Sequence, residues 1–477
     1  MSEQLGMQHK KSEFSEWYNE IVQKAELADH SSVSGCMVIR PYAHAIWERI
    51  QRALDDRFKA RGVQNTYFPM FIPESLLKKE SEHIEGFAPE VAWVTHSGET
   101  KLGERLAVRP TSETIMYESF AKWIRSWRDL PLKINQWCNI VRWEFKHPML
   151  FLRTREFLWQ EGHTAFADKE TAKRDVEDAR EDYRAVYEDL MAVPVVSGLK
   201  SEKEKFAGAE YTTTLEIMMP DGWVIQGCTS HHLGQNFSRP FGITFKDKDE
   251  KDQHVYQNSW GFTTRSMGIL FATHGDDKGL IVPPRVAPVQ AVIVPIYKDE
   301  NKTEVLKYAH EISEKLPGLR VHVDDRDAYT PGFKFNWWEL RGVPLRIECG
   351  PRDMASKEAV FVRRDDGKKT AVKLTGLREK AEAALEEIQK SLYSKAKKFA
   401  DEHTKEASNM TELKKHLDGN RIRALWCGSR TCEDGVREET GAKISCLPYG
   451  LNTKPVKGEC VYCGKGASHA AYFGRSY

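Results

Sequence analysis

The 477-residue chain has no apolar run of about 18 residues, so it offers no candidate membrane-spanning helix. Its opening stretch, MSEQLGMQHKKSEF, lacks the apolar core of a secretory signal. Together these absences predict a cytoplasmic protein with no membrane partner. An excess of one charge is missing too: 71 Lys and Arg stand against 70 Asp and Glu, a net +1. That removes any global electrostatic case for nucleic-acid binding and makes a basic surface, if present, a local one. Cysteine is scarce and odd in number, at nine, which argues against a disulfide framework. Neither G-x-x-x-x-G-K-[ST] nor an early G-x-G-x-x-G occurs, so a P-loop or Rossmann nucleotide site is not expected. No internal repeat and no low-complexity segment is visible.

The length exceeds what one core sustains and predicts two to four domains. Phe14–Ala28 reads as an amphipathic helix, and Tyr42–Arg61 as a stronger one with Ile46, Ile50, Leu54 and Phe58 on one stripe. Tyr67–Pro73 follows as a short extended run. Leu132–Trp143 and Phe157–Phe166 read as strands flanking a loop, Ala172–Met191 as a helix, and Tyr211–Ile217 with Gly222–Gln226 as a hairpin. This is an α+β pattern, an antiparallel sheet with helices. After Pro283, Pro284 and Pro288, short apolar runs at Gln290–Ile296, Arg320–Asp325, Leu345–Gly350 and Glu358–Arg364 alternate with helical segments at Lys302–Leu316 and Lys334–Arg341. That predicts a small α/β domain. Gly376–His403 is a long amphipathic helix whose lysines read as a solvated face.

Two blocks concentrate the chemistry. Val141–Phe157 carries Arg142, Glu144, Arg153 and Phe157, and Ser259–Gly268 closes on Arg265. Three arginines and an aromatic suit a bent nucleoside triphosphate: a guanidinium fork pairs two phosphate oxygens and stays charged at any working pH. Fixed arginines with Mg²⁺ would stabilise charge building on a phosphorus centre under attack. Val108–Glu113 reads as strand into helix with Thr111 and Glu113 at the turn; the carboxylate suits a cationic amine, and the same residues also read as a helix cap. The adjacent His231 and His232 point to opposite faces of a strand, against a shared metal. In the tail, Cys427-x₄-Cys432 and Cys460-x₂-Cys463 lie about thirty residues apart, a spacing suited to tetrahedral S₄ ligation with zinc as the default. Four cysteines leave no open position, so the metal would be structural, and unmetallated thiols remain the alternative. Cys446 stands apart as a spare thiol.

The arginine blocks resemble motifs 2 and 3 of the class II aminoacyl-tRNA synthetases, and Tyr42–Pro73, with Pro69, resembles motif 1. RPTSE, FLRTREFLWQEGHTA, KFAGAEYTTT, TSHHLGQNF and SWGFTTR narrow the resemblance to the prolyl-tRNA synthetases of the archaeal and eukaryotic type, from about residue 14 to the last. The resemblance implies a class II antiparallel sheet flanked by helices over 1–285 (motif 1 about 42–73, motif 2 about 141–163, motif 3 about 259–284). It further implies an anticodon-binding α/β domain over 286–376, and a helix with a zinc-binding α/β domain over 377–477. It implies a homodimer that makes prolyl-adenylate from L-proline and ATP and charges tRNA-Pro. By matching position, Thr111, Glu113, Arg142, Trp159, Glu161, His163, Phe206 and His231 would form the proline pocket. Arg142, Glu144, Arg153, Phe157, Gln226, Thr229 and Arg265 would hold ATP, with Arg142, Arg153 and Arg265 catalytic. Glu339 and Arg352 would read anticodon guanines, and Tyr477 would point toward the active site. Cys228 departs from a common family glycine; a side chain there has room to narrow the pocket slightly, and its effect is left open. The stretch from Phe166 to Ser259 is too short for an editing insertion. A non-catalytic paralogue and another enzyme of the same subclass are the competing readings. The first usually loses motif arginines, and all are present here; the second would want polar groups where Trp159 and Phe206 stand.

Overall fold

The computed structural model describes residues 6–83, 90–143 and 148–477; Glu144 lies outside them. An eleven-stranded sheet forms the backbone of the molecule. Its order is Thr404–Ala407, Arg421–Trp426, His469–Gly474, Lys443–Pro448, Val196–Leu199, Tyr211–Met218, Val224–Gly234, Tyr256–Thr263, Glu156–Phe166, Leu132–Val141 and Gln64–Asn65. Only the two outermost pairings are parallel. The expected antiparallel sheet flanked by helices is therefore present.

Strand periodicity explains how this sheet becomes both scaffold and site. Along Glu156–Phe166 every residue from Trp159 onward is buried, so both faces are covered. Gln160 and Thr164 face one side, where Tyr183 donates to Gln160 at 2.7 Å and Thr164 donates to Asp175 at 2.8 Å, both partners on the helix Lys169–Ala185. Glu161 and His163, one residue out of phase, face the other. Gly162 lies under the Trp260 ring, which a Cβ would meet at 2.1 Å, so only glycine lets the indole cross here. The helix Pro41–Ala60 buries Ala43, Ile46, Trp47, Ile50, Leu54 and Phe58 in the same core. Arg61, just past its end, bonds Asp182 at 2.7 Å and Asp175 at 3.4 Å.

A second sheet of five strands runs Val321–Val323, Ala291–Pro295, Leu345–Cys349, Glu358–Arg363 and Lys369–Lys373, the first three parallel. The helix Leu377–Glu402 ties the units together. Leu377, Ala381 and Leu385 enter the core of the five-stranded sheet, Ile388 and Leu392 pack on Ala192 and Ile281, and Ala400 reaches Met218 and Val224. The C-terminal strands join the large sheet edge to edge: Leu447 pairs with Leu199 and Pro448 with Gly198. Gly198 permits this, since a Cβ would sit 2.5 Å from the Leu447 carbonyl oxygen. No local pattern around Gly198 or Leu447 predicts this junction.

Several element limits differ from expectation. The first helix stops at Lys24, because Glu26 takes a left-handed φ of 55° and Ala28 begins a strand. Of Tyr67–Pro73 only Phe71–Pro73 is a strand, so Pro69 lies in irregular chain. The helix expected over Ala172–Met191 spans Lys169–Ala185, capped by Asp168 accepting from the Thr171 amide at 2.8 Å, and ends in a wider π-type turn over Val186–Leu190. The hairpin's second strand is Val224–Gly234, far longer than its apolar start. Among the described residues no helix is long and apolar enough to cross a membrane.

Candidate active site

The antiparallel strands present one face to a cavity of about 430 Å³. Thr111, Glu113, Arg142, Phe157, Trp159, Glu161, His163, Phe206, Gln226, Thr229, His231 and Arg265 all line it. Arg153 lines a neighbouring cavity of about 210 Å³ that shares Leu152, Glu204, Gln226 and Arg265 with the first. The three motif arginines thus line two adjoining cavities, with Arg265 common to both, and Arg142 and Arg153 both act electrostatically on Arg265. Each is placed by a different segment. Arg142 ends the strand Leu132–Val141 and donates from Nε to the Pro110 carbonyl at 3.0 Å. Arg265 opens the helix Arg265–His274 and donates to the carbonyls of Leu152 at 3.1 Å and Gln226 at 3.3 Å. Burial, then the two like charges, lowers its affinity for its proton. An anion would relieve that crowding. The Arg142 guanidinium lies 5.8 Å from the Phe157 ring centre and 5.7 Å from that of Trp159.

The other end of the cavity is a buried polar network. Glu161 accepts from the Ser112 amide at 3.2 Å, the Ser112 hydroxyl, Gln136 at 3.0 Å and His163 at 3.1 Å. Burial alone would raise its pKa, yet His163, Ser112 and Gln136 together hold it below the ordinary value. Burial likewise opposes charge on His163, but Glu161 and Glu113 overcome it and raise the imidazole. Glu113 receives the Thr111 hydroxyl; the first-turn cap anticipated as an alternative is not made, since Ser112 caps no amide with its side chain. His231 is the opposite of His163. Burial first, then His163 and Arg142, push it down to about 3, so it is neutral. It sits between Thr212 at 2.9 Å and Thr229 at 3.1 Å, with the Phe206 ring 4.6 Å away. His232 turns to the far face and bonds Asn258 at 2.9 Å, as strand alternation requires.

The His163–Glu161 pair fixes a pH window. His163 is raised from 6.5, so its contribution is complete below that value and fades as pH rises through the raised one. Glu161 is lowered from 4.5, so its contribution is complete above that value and fades as pH falls through the lowered one. The pair is therefore at full strength between pH 4.5 and 6.5 and weakens on either side. Thermal melting of the parent and His163→Gln from pH 6 to 9 should show the gap between them narrowing as pH rises. A gap independent of pH would refute the charged pair.

Some residues escaped the sequence reading. Ser112 and Gln136 hold Glu161, Tyr117 meets His163 at 3.2 Å, and Cys138 accepts from the Trp159 indole at 3.2 Å. Thr212 holds both His231 and the Phe206 amide, the latter at 3.0 Å. Gln136 and Cys138 alternate on one strand face, a signal that the polar run NQWCN hides. Cys228 lines the cavity and also belongs to the core cluster that holds Tyr183, Tyr187 and Phe262. A bulge between Leu215 and Glu216, opposite it, shifts the facing of that strand.

Glu339 and Arg352 do not come together. Glu339 lies in the last turn of the helix Pro331–Leu340, 3.3 Å from Lys278, whereas Arg352 is exposed in the first turn of Pro351–Ser356. The strand Leu345–Cys349 separates them by on the order of 15 Å. Tyr477 lines the smaller cavity and donates its hydroxyl to Asp221 at 2.6 Å.

In the tail, the sulfurs of Cys427, Cys432, Cys460 and Cys463 all lie within 4.8 Å of one another. Zn–S bonds of about 2.3 Å in a tetrahedron put sulfurs roughly 3.8 Å apart, and two of the gaps are 3.6 and 3.9 Å. The donor set therefore fits zinc. Cys446 is buried elsewhere in the strand Lys443–Pro448.

Comparison with known proteins agrees with this geometry. Residues 95–274 match the tRNA synthetase class II core domain (G, H, P, S and T), residues 290–384 the anticodon binding domain, and residues 410–477 the prolyl-tRNA synthetase C-terminal family. Among curated relatives, Proline--tRNA ligase from Alkaliphilus oremlandii is 49% identical over 98% of this chain and 96% of its own length. Its namesake from Ruminiclostridium cellulolyticum is 49% identical over 98% and 97%. That of the archaeon Cenarchaeum symbiosum is 50% identical over 98% of each.

Proposed function

This chain belongs to the prolyl-tRNA synthetase family, and on that premise we propose how its arginine-lined cavity joins L-proline to ATP and passes the prolyl group to tRNA-Pro. The observation that carries this reading is that Arg142 and Arg265 share one cavity with the aromatic walls Phe157, Trp159 and Phe206, and that Arg153 lines the cavity adjoining it. Arg142 pairs the substrate carboxylate and the α-phosphate, Arg153 and Arg265 hold the outer phosphates, and Phe157 covers the adenine. Gln226 and Thr229 line the nucleotide side. Glu113 and Thr111 receive the secondary ammonium. With Glu161 neutralised by His163, Glu113 is the carboxylate left to balance that cation. Trp159, Phe206 and neutral His231 wall the pyrrolidine ring.

The proline carboxylate oxygen attacks the α-phosphorus, the bond to the β-phosphate oxygen breaks, and pyrophosphate leaves. The carboxylate is already ionised, so no base is needed. The fixed guanidinium groups meet the charge that grows on the phosphate oxygens without reorganising. Mg²⁺ bound with the nucleotide supplies further positive charge there. A terminal ribose hydroxyl of the tRNA then attacks the activated carbonyl, its proton is lost, and AMP departs. Pyrophosphate exchange against the twenty amino acids, with and without Mg²⁺, tests the reading. Exchange with proline alone supports it; no exchange, or exchange with another amino acid, overturns it.

Three finer points rest on the same premise. Tyr67, Phe71, Trp93 and Trp123 are large exposed apolar residues on and around the motif 1 segment, which supports a homodimer; sedimentation as a monomer at micromolar concentration would contradict it. Glu339 and Arg352 meet separate anticodon bases, given their separation, and each replaced by alanine should raise the KM for tRNA with pyrophosphate exchange intact. A cytoplasmic setting fits four tail thiols kept reduced for zinc.

Alanine lacks two ring methylenes of proline, each worth about 1–3 kcal/mol, so the niche admits it slowly. Between Phe166 and Ser259 the chain holds the helix Lys169–Ala185, strands of the large sheet, the short helix Ser238–Phe241 and a small hairpin of Thr244–Lys246 with Asp252–His254, which supports the absence of an editing insertion. Alanyl-tRNA-Pro incubated with the enzyme should survive as long as it does in buffer. Accelerated deacylation by the purified chain would sink this.

A further inference from the structure

Three polar residues in the segment between the strands Val196–Leu199 and Tyr211–Met218 reach into the C-terminal unit. Lys200 donates to the Ser445 carbonyl at 2.9 Å. Ser201 donates its hydroxyl to Glu433 at 2.7 Å, and Lys203 pairs with Asp434. Glu433 and Asp434 stand side by side on the helix Arg430–Thr440, more than two hundred residues away in sequence. Ser201 and Glu433 are 1% and 3% exposed, so this bond is made out of water. The residues that follow immediately, Glu204, Phe206 and Ala207, line the active-site cavity. Ser201 also organises the turn: its carbonyl accepts from the amides of Glu204 at 3.1 Å and Lys205 at 3.0 Å.

We propose that Glu433 and Asp434 are positioning residues for the amino-acid pocket, acting through Ser201 and Lys203 to hold Phe206 over His231. The idea rests on the reading of that cavity as the proline site. Phe206 lies between two turns, outside regular secondary structure; its amide donates to Thr212 and its ring stacks on Phe237 at 6.5 Å, so the course of the preceding turn decides where it sits. A turn that must order itself on binding spends backbone entropy, about 1–2 kcal/mol per residue. A turn already docked on a helix does not, and its substrate binds more tightly for that reason. The arginines of the triphosphate side, Arg142, Arg153 and Arg265, come from other segments, while Lys200, Glu204 and Ser445 of this docking line the edge of the smaller cavity beside Arg153. Phe206 and Ala207 line only the larger cavity, so the C-terminal unit acts more strongly on KM for proline than on KM for ATP.

The test is proline-dependent pyrophosphate exchange by the full chain, with thermal melting alongside. Ser201→Ala and Glu433→Gln should each raise KM for proline about tenfold, the scale of one charge-assisted hydrogen bond, with KM for ATP and kcat within twofold. Lys203→Asp should raise it less, and Lys203→Asp combined with Asp434→Lys should bring it back. This exposed pair keeps the question decidable if the buried variants fail to fold. An unchanged KM for proline, equal rises in both KM values, or no rescue by the charge swap overturns the proposal. Absence of any proline exchange by the parent would instead refute the assignment of the cavity itself.

Discussion

Arg265→Ala should lower kcat for proline-dependent pyrophosphate exchange by about 10²–10³-fold, the effect of removing one preorganised charge donor from a reaction centre. Two of the Arg265 donors are committed to backbone carbonyls, those of Leu152 and Gln226, which belong to different segments. The side chain is thus fixed before any nucleotide arrives, and its remaining donors need not be ordered during the reaction. Arg265→Lys keeps the charge but gives up the planar fork, so it cannot hold both carbonyls and a phosphate at once. It should recover at most about a tenth of the lost rate. KM for proline should change little in either variant, because the niche proposed for proline draws on Glu113, Trp159, His163 and Phe206. A kcat for Arg265→Ala within threefold of the parent would remove Arg265 from the phosphate site, and with it the case for a shared arginine clamp.

How much of this was legible beforehand follows from the kind of constraint involved. The arginines could be found because no other side chain does their job, so residue type and order along the chain carry the signal. Helices with a clean apolar stripe, such as Pro41–Ala60, declared themselves for the same reason. Val224–Gly234 did so only in part: Gly222–Gln226 read as a strand and His231 and His232 were placed on one, but the polar run GCTSHH hid that all of this is a single element. Yet it pairs on both sides in the middle of the sheet, since its polar groups are spent on the site and on Asn258. Local rules fail where a strand serves chemistry.

Long-range placement was the other loss. Nothing near Gly198 in sequence announces that Leu447 will approach its α-carbon, and so the two sheets read as separate units. Cys228 both lines the cavity and packs in the core, and the bulge opposite it was invisible in the sequence. Glu339 and Arg352 are thirteen residues apart, and a helix-to-strand crossover carries them to opposite ends of Leu345–Cys349. Alternation and spacing act over a few residues, and these three outcomes depend on pairings far beyond that range.

Cys432→Ser should lower the melting temperature on the order of 10 °C, and a strong chelator should do the same to the parent while leaving the variant unmoved. The four thiols come from separate places: the end of the strand Arg421–Trp426, the helix Arg430–Thr440, and the loop before His469–Gly474. A single ion would pin all three, around a core no larger than a small domain's. The sulfurs also show the strain of proximity. Burial and its neighbours raise the Cys432 thiol, while a backbone hydrogen bond at Lys465 leads the effects that bring Cys463 down to about 7. A divalent cation would resolve this by taking all four as thiolates, so metal uptake should release protons and weaken in acid. Loss of the ion should reach the active site, because Glu433 and Asp434 follow Cys432 on the same helix and the strand Lys443–Pro448 continues the catalytic sheet. KM for proline should therefore rise in step with metal loss, at temperatures well below melting. A chain that carries less than a tenth of an equivalent of zinc (metal assay), yet melts and binds proline like the metal-loaded protein, would show that the cysteines support one another without an ion.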